Sequence, residues 1–78
     1  MTQLPGASGK ELIKFLQKQG FSKLRQKGSH VSLHKQTPDK TYRTVVPMHN
    51  ELATGTLLNI LRQCGISREE FIEKYKKK

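Results

Sequence analysis

Apolar positions change their spacing along this chain, and each change marks an element. Leu12, Ile13, Phe15 and Leu16 recur at helical intervals, with Gln19 completing the stripe, after Ser8-Gly9-Lys10-Glu11. There a serine N-cap is followed three residues later by a glutamate able to close a capping box. Gly20 is placed to end the helix at its C′ position, so the spacing predicts a helix over 9–19. Phe21 and Leu24 stand among polar residues and give a weaker strand signal over 21–26. "HVSLHK" then alternates strictly, Val31 and Leu33 to one side, His30, Ser32 and His34 to the other. Lys27-Gly28-Ser29 supplies the turn between these two segments.

"TYRTVVP" is rich in β-branched and aromatic residues and predicts a third strand that ends at Pro47. "KQTPDK" reads as the preceding hairpin loop, with Pro38 and Asp39 at the centre of a type I turn. Thr54 is expected to cap a second helix that carries Leu57, Leu58, Leu61 and Cys64 on one face and stops at Gly65. Ser67-Arg68-Glu69-Glu70 is a second capping box, opening a short third helix with Phe71, Ile72 and Tyr75. The predicted order is α-β-β-β-α-α. This is an α+β domain, a three-stranded antiparallel sheet with helices on one face. Residues 1–78 form a single domain, with 1–7 and 76–78 expected to fray. The second sheet face, from which His30, Ser32 and His34 look out, is left to solvent or a ligand.

Charge narrows the choice of ligand. Fifteen Lys and Arg against six Asp and Glu give a net +9. Residues 1–50 hold nine cations and two acids (+7), residues 51–75 three cations and four acids (−1), and 76–78 are all lysine (+3). An electropositive surface of this kind attracts polyanions, nucleic acid first among them. No segment approaches the roughly 18 apolar residues of a membrane span, and the N-terminus has no apolar run of signal-peptide length. Cys64 is the only cysteine, which fits a reducing compartment. A cytoplasmic protein is expected, with no membrane partner.

Three histidines raise the question of metal. His30 and His34 are four residues apart, but on a strand that separation spans roughly 13 Å, too far for one zinc with ligands near ~2 Å. No metal and no cofactor are expected. Cys64 falls in register with Leu57 and Leu61, as a core residue does. Ser29 and His30, neighbours on a strand, point to opposite faces and form no catalytic pair. General acid–base chemistry needs only one imidazole, whose ordinary pKa near ~6.5 lets it take and give a proton at neutral pH. If RNA supplies the ribose 2′-hydroxyl as nucleophile, one histidine beside a bound phosphate suffices. Arg25, Lys27, Lys35 and Arg43 are candidates to hold that phosphate, and Gly28 would let backbone approach it. The residues alone leave two readings open, a ribonuclease and a non-catalytic RNA-binding module such as a ribosome-associated one.

Three segments together resemble the HicA toxin family of type II toxin–antitoxin systems. "SGKELIKFLQKQGF" is similar to the family's opening helix. "RQKGSHVSLHK" is similar to its strand-turn-strand with Gly28, Ser29 and His30 as the G-S-H motif, and "VVPMHNELATGTLLNILRQCGIS" to its C-terminal block. The resemblance covers about residues 8–72. It implies a double-stranded-RNA-binding-domain-like α-β-β-β-α fold, here with a short extra helix. It also implies a metal-independent endoribonuclease that cleaves mRNA and is neutralised by a HicB antitoxin. His30 falls on the family's catalytic histidine, and Gly28 and Ser29 flank it as expected RNA contacts. The hairpin departs from the pattern: Pro38-Asp39-Lys40 replaces a tight P-D-G turn.

Overall fold

A computed structural model describes residues 4–76. Its elements are α1 (Gly9–Lys18), β1 (Ser22–Lys27), β2 (His30–Gln36), β3 (Thr41–Pro47), α2 (Thr54–Gln63) and α3 (Arg68–Lys76). The α+β order read from the hydrophobic pattern is the order observed. The strands form one antiparallel sheet in the order β1-β2-β3. Among the described residues no helix is long and apolar enough to cross a membrane.

Local chemistry sets the helix ends. The Glu11 N–H donates to Ser8 Oγ while the Ser8 N–H donates to Glu11 Oε1, each at 3.0 Å, so the capping box of α1 is closed in both directions. Both α1 and α2 finish in a Schellman arrangement. Gly20 N–H donates to Gln17 and Phe21 N–H to Leu16, and the same pattern joins Gly65 to Arg62 and Ile66 to Leu61. The start of α2 differs from expectation. Thr54 is the first helical residue, and the cap position belongs to Ala53, which has no side-chain cap. The buried Leu52, whose N–H donates to the Ala7 carbonyl, fixes where the chain turns into the helix, and Thr54 falls one residue inside it.

The core is built on one face of the sheet. Val31, Leu33 and Val46 are at most 1% exposed and meet Leu12 and Leu16 of α1, Leu57, Ile60 and Leu61 of α2, and Phe71 of α3. Ile60 takes the fully buried place on α2, and Leu58 is only half-buried at the helix flank. The α3 helix docks on α1 through rings: Phe15 meets Phe71 edge-on at 5.0 Å, and Phe71 stacks on Tyr75 at 4.9 Å. Thr44, a polar residue in this face, satisfies its hydroxyl by donating to Gln63 Oε1 at 2.8 Å. At the β2–β3 hairpin, Thr37 closes the tip, its hydroxyl bonding both the carbonyl and the N–H of Lys40. Among the described residues no non-glycine residue has positive φ, so the glycine-free tip avoids that conformation altogether.

Part of the N-terminal segment expected to fray is packed. Leu4 lies against the core, Ala7 is buried, and the Ala7 carbonyl accepts from Leu52, so apolar contact and one backbone bond hold this stretch down. Residues 1–3, 77 and 78 lie outside the described residues.

The tightest packing is at Gly9. A methyl group there would run into the Pro47 carbonyl oxygen and lie 3.0 Å from Met48 Cα, while the Gly9 N–H donates to the His49 carbonyl at 2.9 Å. The neighbour is backbone and cannot rotate away. Gly9→Ala is therefore expected to destabilise the domain by about 1–3 kcal/mol through overpacking, read as a lowered midpoint of denaturant unfolding. An unchanged midpoint would mean that α1 can slide off β3 without cost.

Candidate active site

Two residues, Gly28 and Ser29, join β1 to β2. Gly28 has φ +61, and positive φ confined to the first central residue is what a type II′ hairpin turn requires. The ladder runs right up to this turn, with Lys27 paired to His30. Both turn carbonyls are engaged. Gln26 Nε2 donates to the Gly28 carbonyl at 3.1 Å, and the Met48 N–H donates to the Ser29 carbonyl at 2.6 Å. A methyl group at Gly28 would meet no atom within 4 Å, so the space beside the turn is open to a ligand.

The register lays out the outer face in rows, because directly opposed residues share a face. Lys27, His30 and Pro47 form the row at the turn; Arg25, Ser32 and Val45 form the next; Ser22, His34 and Arg43 form the third. Rows lie about 7 Å apart along the strands. His30, Lys27, Arg25 and Arg43 are all exposed. The structure thus gathers one imidazole and three cations on a single face, with Lys27 beside His30, Arg25 one row on and Arg43 two rows on. Ser29 and Gly28 sit at the same end.

Lys35 is not brought to this site. It pairs with Tyr42 on the helix side of the sheet, and its Nζ lies over the Phe21 ring at 5.9 Å from the centroid. Five residues also separate it from His30, about 17 Å of strand. His34 shares the face of His30 but stands two rows away, half-buried opposite Arg43. His49 is exposed, and its contribution is a backbone one, the carbonyl that accepts from Gly9. Among the described residues, no three His, Cys, Asp or Glu side chains are grouped to hold a metal ion.

A groove of about 1210 Å³ is lined by residues of the outer sheet face and by one flank of α2, the helix itself packing on the opposite face of the sheet. Arg25, Ser32 and Arg43 line it from the sheet, and Thr56, Asn59 and Arg62 from the helix. Arg62 is steadied by donating to Asn59 Oδ1 at 2.9 Å. The sequence pattern gives no hint of the α2 wall, since polar residues on a helix flank look alike whether they border a groove or open solvent. Leu24 also lines the groove because β1 carries a bulge between Lys23 and Arg25, which interrupts the alternation. The three-residue spacing of Phe21 and Leu24 is the one sequence trace of that slip.

Comparison with known proteins adds one finding. A family model described as "HicA toxin of bacterial toxin-antitoxin" matches residues 9–66. A search of curated proteins finds no match.

The matched span includes Cys64, the chain's one thiol. It is 4% exposed, at the C-cap of α2 in the core. Burial pushes its pKa up to about 11, against the opposing effects of a side-chain hydrogen bond with Thr44 and the charge of Lys35. The folded state thus prefers the protonated thiol. That preference stabilises the fold below the ordinary value of 9.0 and is lost as pH rises through about 11. A protonated, buried thiol is a poor nucleophile. In the native protein Cys64 is expected to resist thiol reagents at neutral pH and to react at once in denaturant. Rapid labelling of the native protein would contradict this placement.

Proposed function

The chain belongs to the HicA toxin family, toxins of bacterial toxin–antitoxin systems, and from that premise we propose that it is a cytoplasmic, metal-independent mRNA endoribonuclease neutralised by a HicB-type antitoxin. The observation that carries this reading is the row at the turn: an exposed His30 directly opposite Lys27, with Arg25 in the next row and open space beside Gly28. A solitary imidazole among cations suits a reaction in which the substrate provides its own nucleophile.

The steps follow from that arrangement. Lys27 and Arg25 hold the phosphate of the scissile linkage and offset the charge that builds on its non-bridging oxygens. Arg43, two rows away, holds a neighbouring phosphate. The turn around Gly28 and Ser29 lets the RNA backbone come close. His30 takes the proton from the ribose 2′-hydroxyl, the 2′-oxygen attacks phosphorus, and the bond to the 5′-oxygen breaks. A proton from the imidazolium or from water then neutralises that leaving oxygen. The products are a 2′,3′-cyclic phosphate and a free 5′-hydroxyl, so atoms and charge balance without an added water. In-line attack requires a ribose free of the regular A-form stack, which makes single-stranded or locally opened mRNA the substrate.

One proton-transfer group of this kind contributes about 10²–10⁴-fold in rate. His30→Ala is expected to lose cleavage of a defined mRNA by about that factor and to keep RNA binding, since the cations remain. Wild-type cleavage is expected to continue in EDTA. Normal cutting by the His30→Ala protein, or arrest of the wild type by EDTA, would overturn the mechanism. Intact RNA that is nonetheless bound by antitoxin-free wild type would point to a non-catalytic RNA-binding module.

A further inference from the structure

A second groove, of about 530 Å³, lies between α1 and α3, in the helix layer on the side of the sheet away from His30. Lys14, Phe15 and Lys18 line it from α1, and Lys74 and Tyr75 from α3. The α3 helix begins at Arg68, past the residues 9–66 that the family model matches, so one wall is built outside the matched span.

The lining combines cations with an oriented ring. Lys14 and Lys18 are exposed, and neither is in a salt bridge among the described residues. One helical turn separates them, a rise of about 6 Å that approximates the spacing of consecutive phosphates along a nucleic-acid strand. Lys74 is held by Glu70 at 2.9 Å. The one acid in the lining, Glu11, is already engaged, accepting from the Ser8 N–H and from the Tyr75 hydroxyl. Tyr75 is half-buried, stacked on Phe71 at 4.9 Å and edge-on to Phe15 at 6.0 Å, so packing and the bond to Glu11 fix its ring.

A nucleotide uses both features at once, since its base has a face for the ring and its phosphate a charge for the lysines. A carboxylate-rich peptide matches less well. Carboxylates favour the bidentate fork of arginine, whereas lysine acts as a point charge, and the free cations of this groove are lysines. We propose that the α1–α3 groove is a second nucleic-acid site, in which Tyr75 takes one base of a single-stranded RNA and Lys14 and Lys18 take consecutive phosphates. The proposal rests on the reading of this chain as one that acts on RNA, and does not depend on the chemistry at His30. The sheet stands between the groove and His30 in a molecule 22–33 Å across, so the stretch held here is remote from the cut. Holding it raises the local concentration of the rest of the same RNA at the outer face, which favours long substrates over short ones.

The test titrates isotope-labelled His30→Ala protein, which leaves RNA intact, with adenosine monophosphate, a short oligoadenylate and polyglutamate. Amide signals of Lys14, Lys18 and Tyr75 are followed by NMR. The same titrations use His30→Ala proteins that also carry Lys14→Ala/Lys18→Ala or Tyr75→Leu, each checked for fold by circular dichroism and thermal unfolding. The oligoadenylate is expected to shift all three signals. The double lysine variant is expected to bind it about tenfold more weakly, with the slope of log affinity against log salt reduced by about 1.4. Tyr75→Leu is expected to weaken binding several-fold and leave that slope unchanged. If Tyr75→Leu undocks α3, the lysine variant, which touches no packed ring, decides the matter. With His30 present, Lys14→Ala/Lys18→Ala is expected to raise KM for a long RNA and leave kcat unchanged. Unmoved signals at the groove, or an unchanged salt slope in the folded lysine variant, overturn the proposal. Signals moved by polyglutamate and not by the oligoadenylate would make the groove a protein site and overturn it too. Adenosine monophosphate binding as tightly as the oligoadenylate would assign the groove to a free nucleotide and overturn the strand reading. Oligoadenylate bound in the groove of a protein that, with His30 intact, leaves RNA uncut would support the second site and refute only the nuclease reading.

Discussion

The Met48 N–H donates to the Ser29 carbonyl across 2.6 Å, tying the turn that carries His30 to the segment after β3. One residue on, the His49 carbonyl accepts from Gly9 at the start of α1, and farther along Leu52 donates to Ala7. The Pro47–Leu52 segment is thus a backbone seam that joins two stretches remote from it in sequence, the turn at Ser29 and the Ala7–Gly9 stretch. Hydrogen bonds between main-chain groups specify position without specifying side chains. This explains why a glycine is needed where α1 meets the seam, and why His30 can stay exposed and yet have a fixed origin. The turn would otherwise be the free end of a hairpin whose first strand, β1, is exposed along its whole length. Held by the seam, it presents Lys27 and His30 as a defined pair.

The same seam accounts for the grouping of the motifs. Ser8-Gly9, Gly28-Ser29-His30 and Pro47-Met48-His49 lie in separate blocks of the chain, but they meet at one corner of the fold. The first two are needed for geometry there, Gly9 by close approach and Gly28 by its positive φ. At this corner His30 brings an imidazole to the open face, opposite the cation of Lys27. In this chain the three motifs are largely backbone construction around the proposed reactive group, His30.

Much of this was legible in the sequence, and the parts that were not share a cause. The capping box at Ser8, the alternation of Val31 and Leu33, and the β-branched run of β3 are local signals, and each produced the element it implies. Lys35 was legible too, since it has the parity of Val31 and Leu33 and belongs on the helix side; its nearness to His30 in sequence suggests a proximity that the pleat forbids. Leu24, the Ala53 cap and the α2 wall of the groove depend on tertiary placement. A bulge in β1, the anchoring of Leu52 and the crossing of α2 over β3 decided them, and none of these leaves more than a trace in a single chain. The hairpin tip is intermediate: the missing glycine foretold the absence of positive φ, and the Thr37 side chain supplied the closure.

The central claim is that His30 activates a hydroxyl that belongs to the substrate. The most direct measurement compares cleavage of one RNA oligonucleotide with that of the same oligonucleotide carrying a single 2′-deoxy substitution at the scissile ribose. The account predicts that the substituted linkage is bound as before and left uncut, while cuts at unsubstituted linkages end in a 2′,3′-cyclic phosphate. Cleavage that persists at the 2′-deoxy linkage would contradict it, because the nucleophile would then have to be water, and a solitary histidine would no longer account for the chemistry.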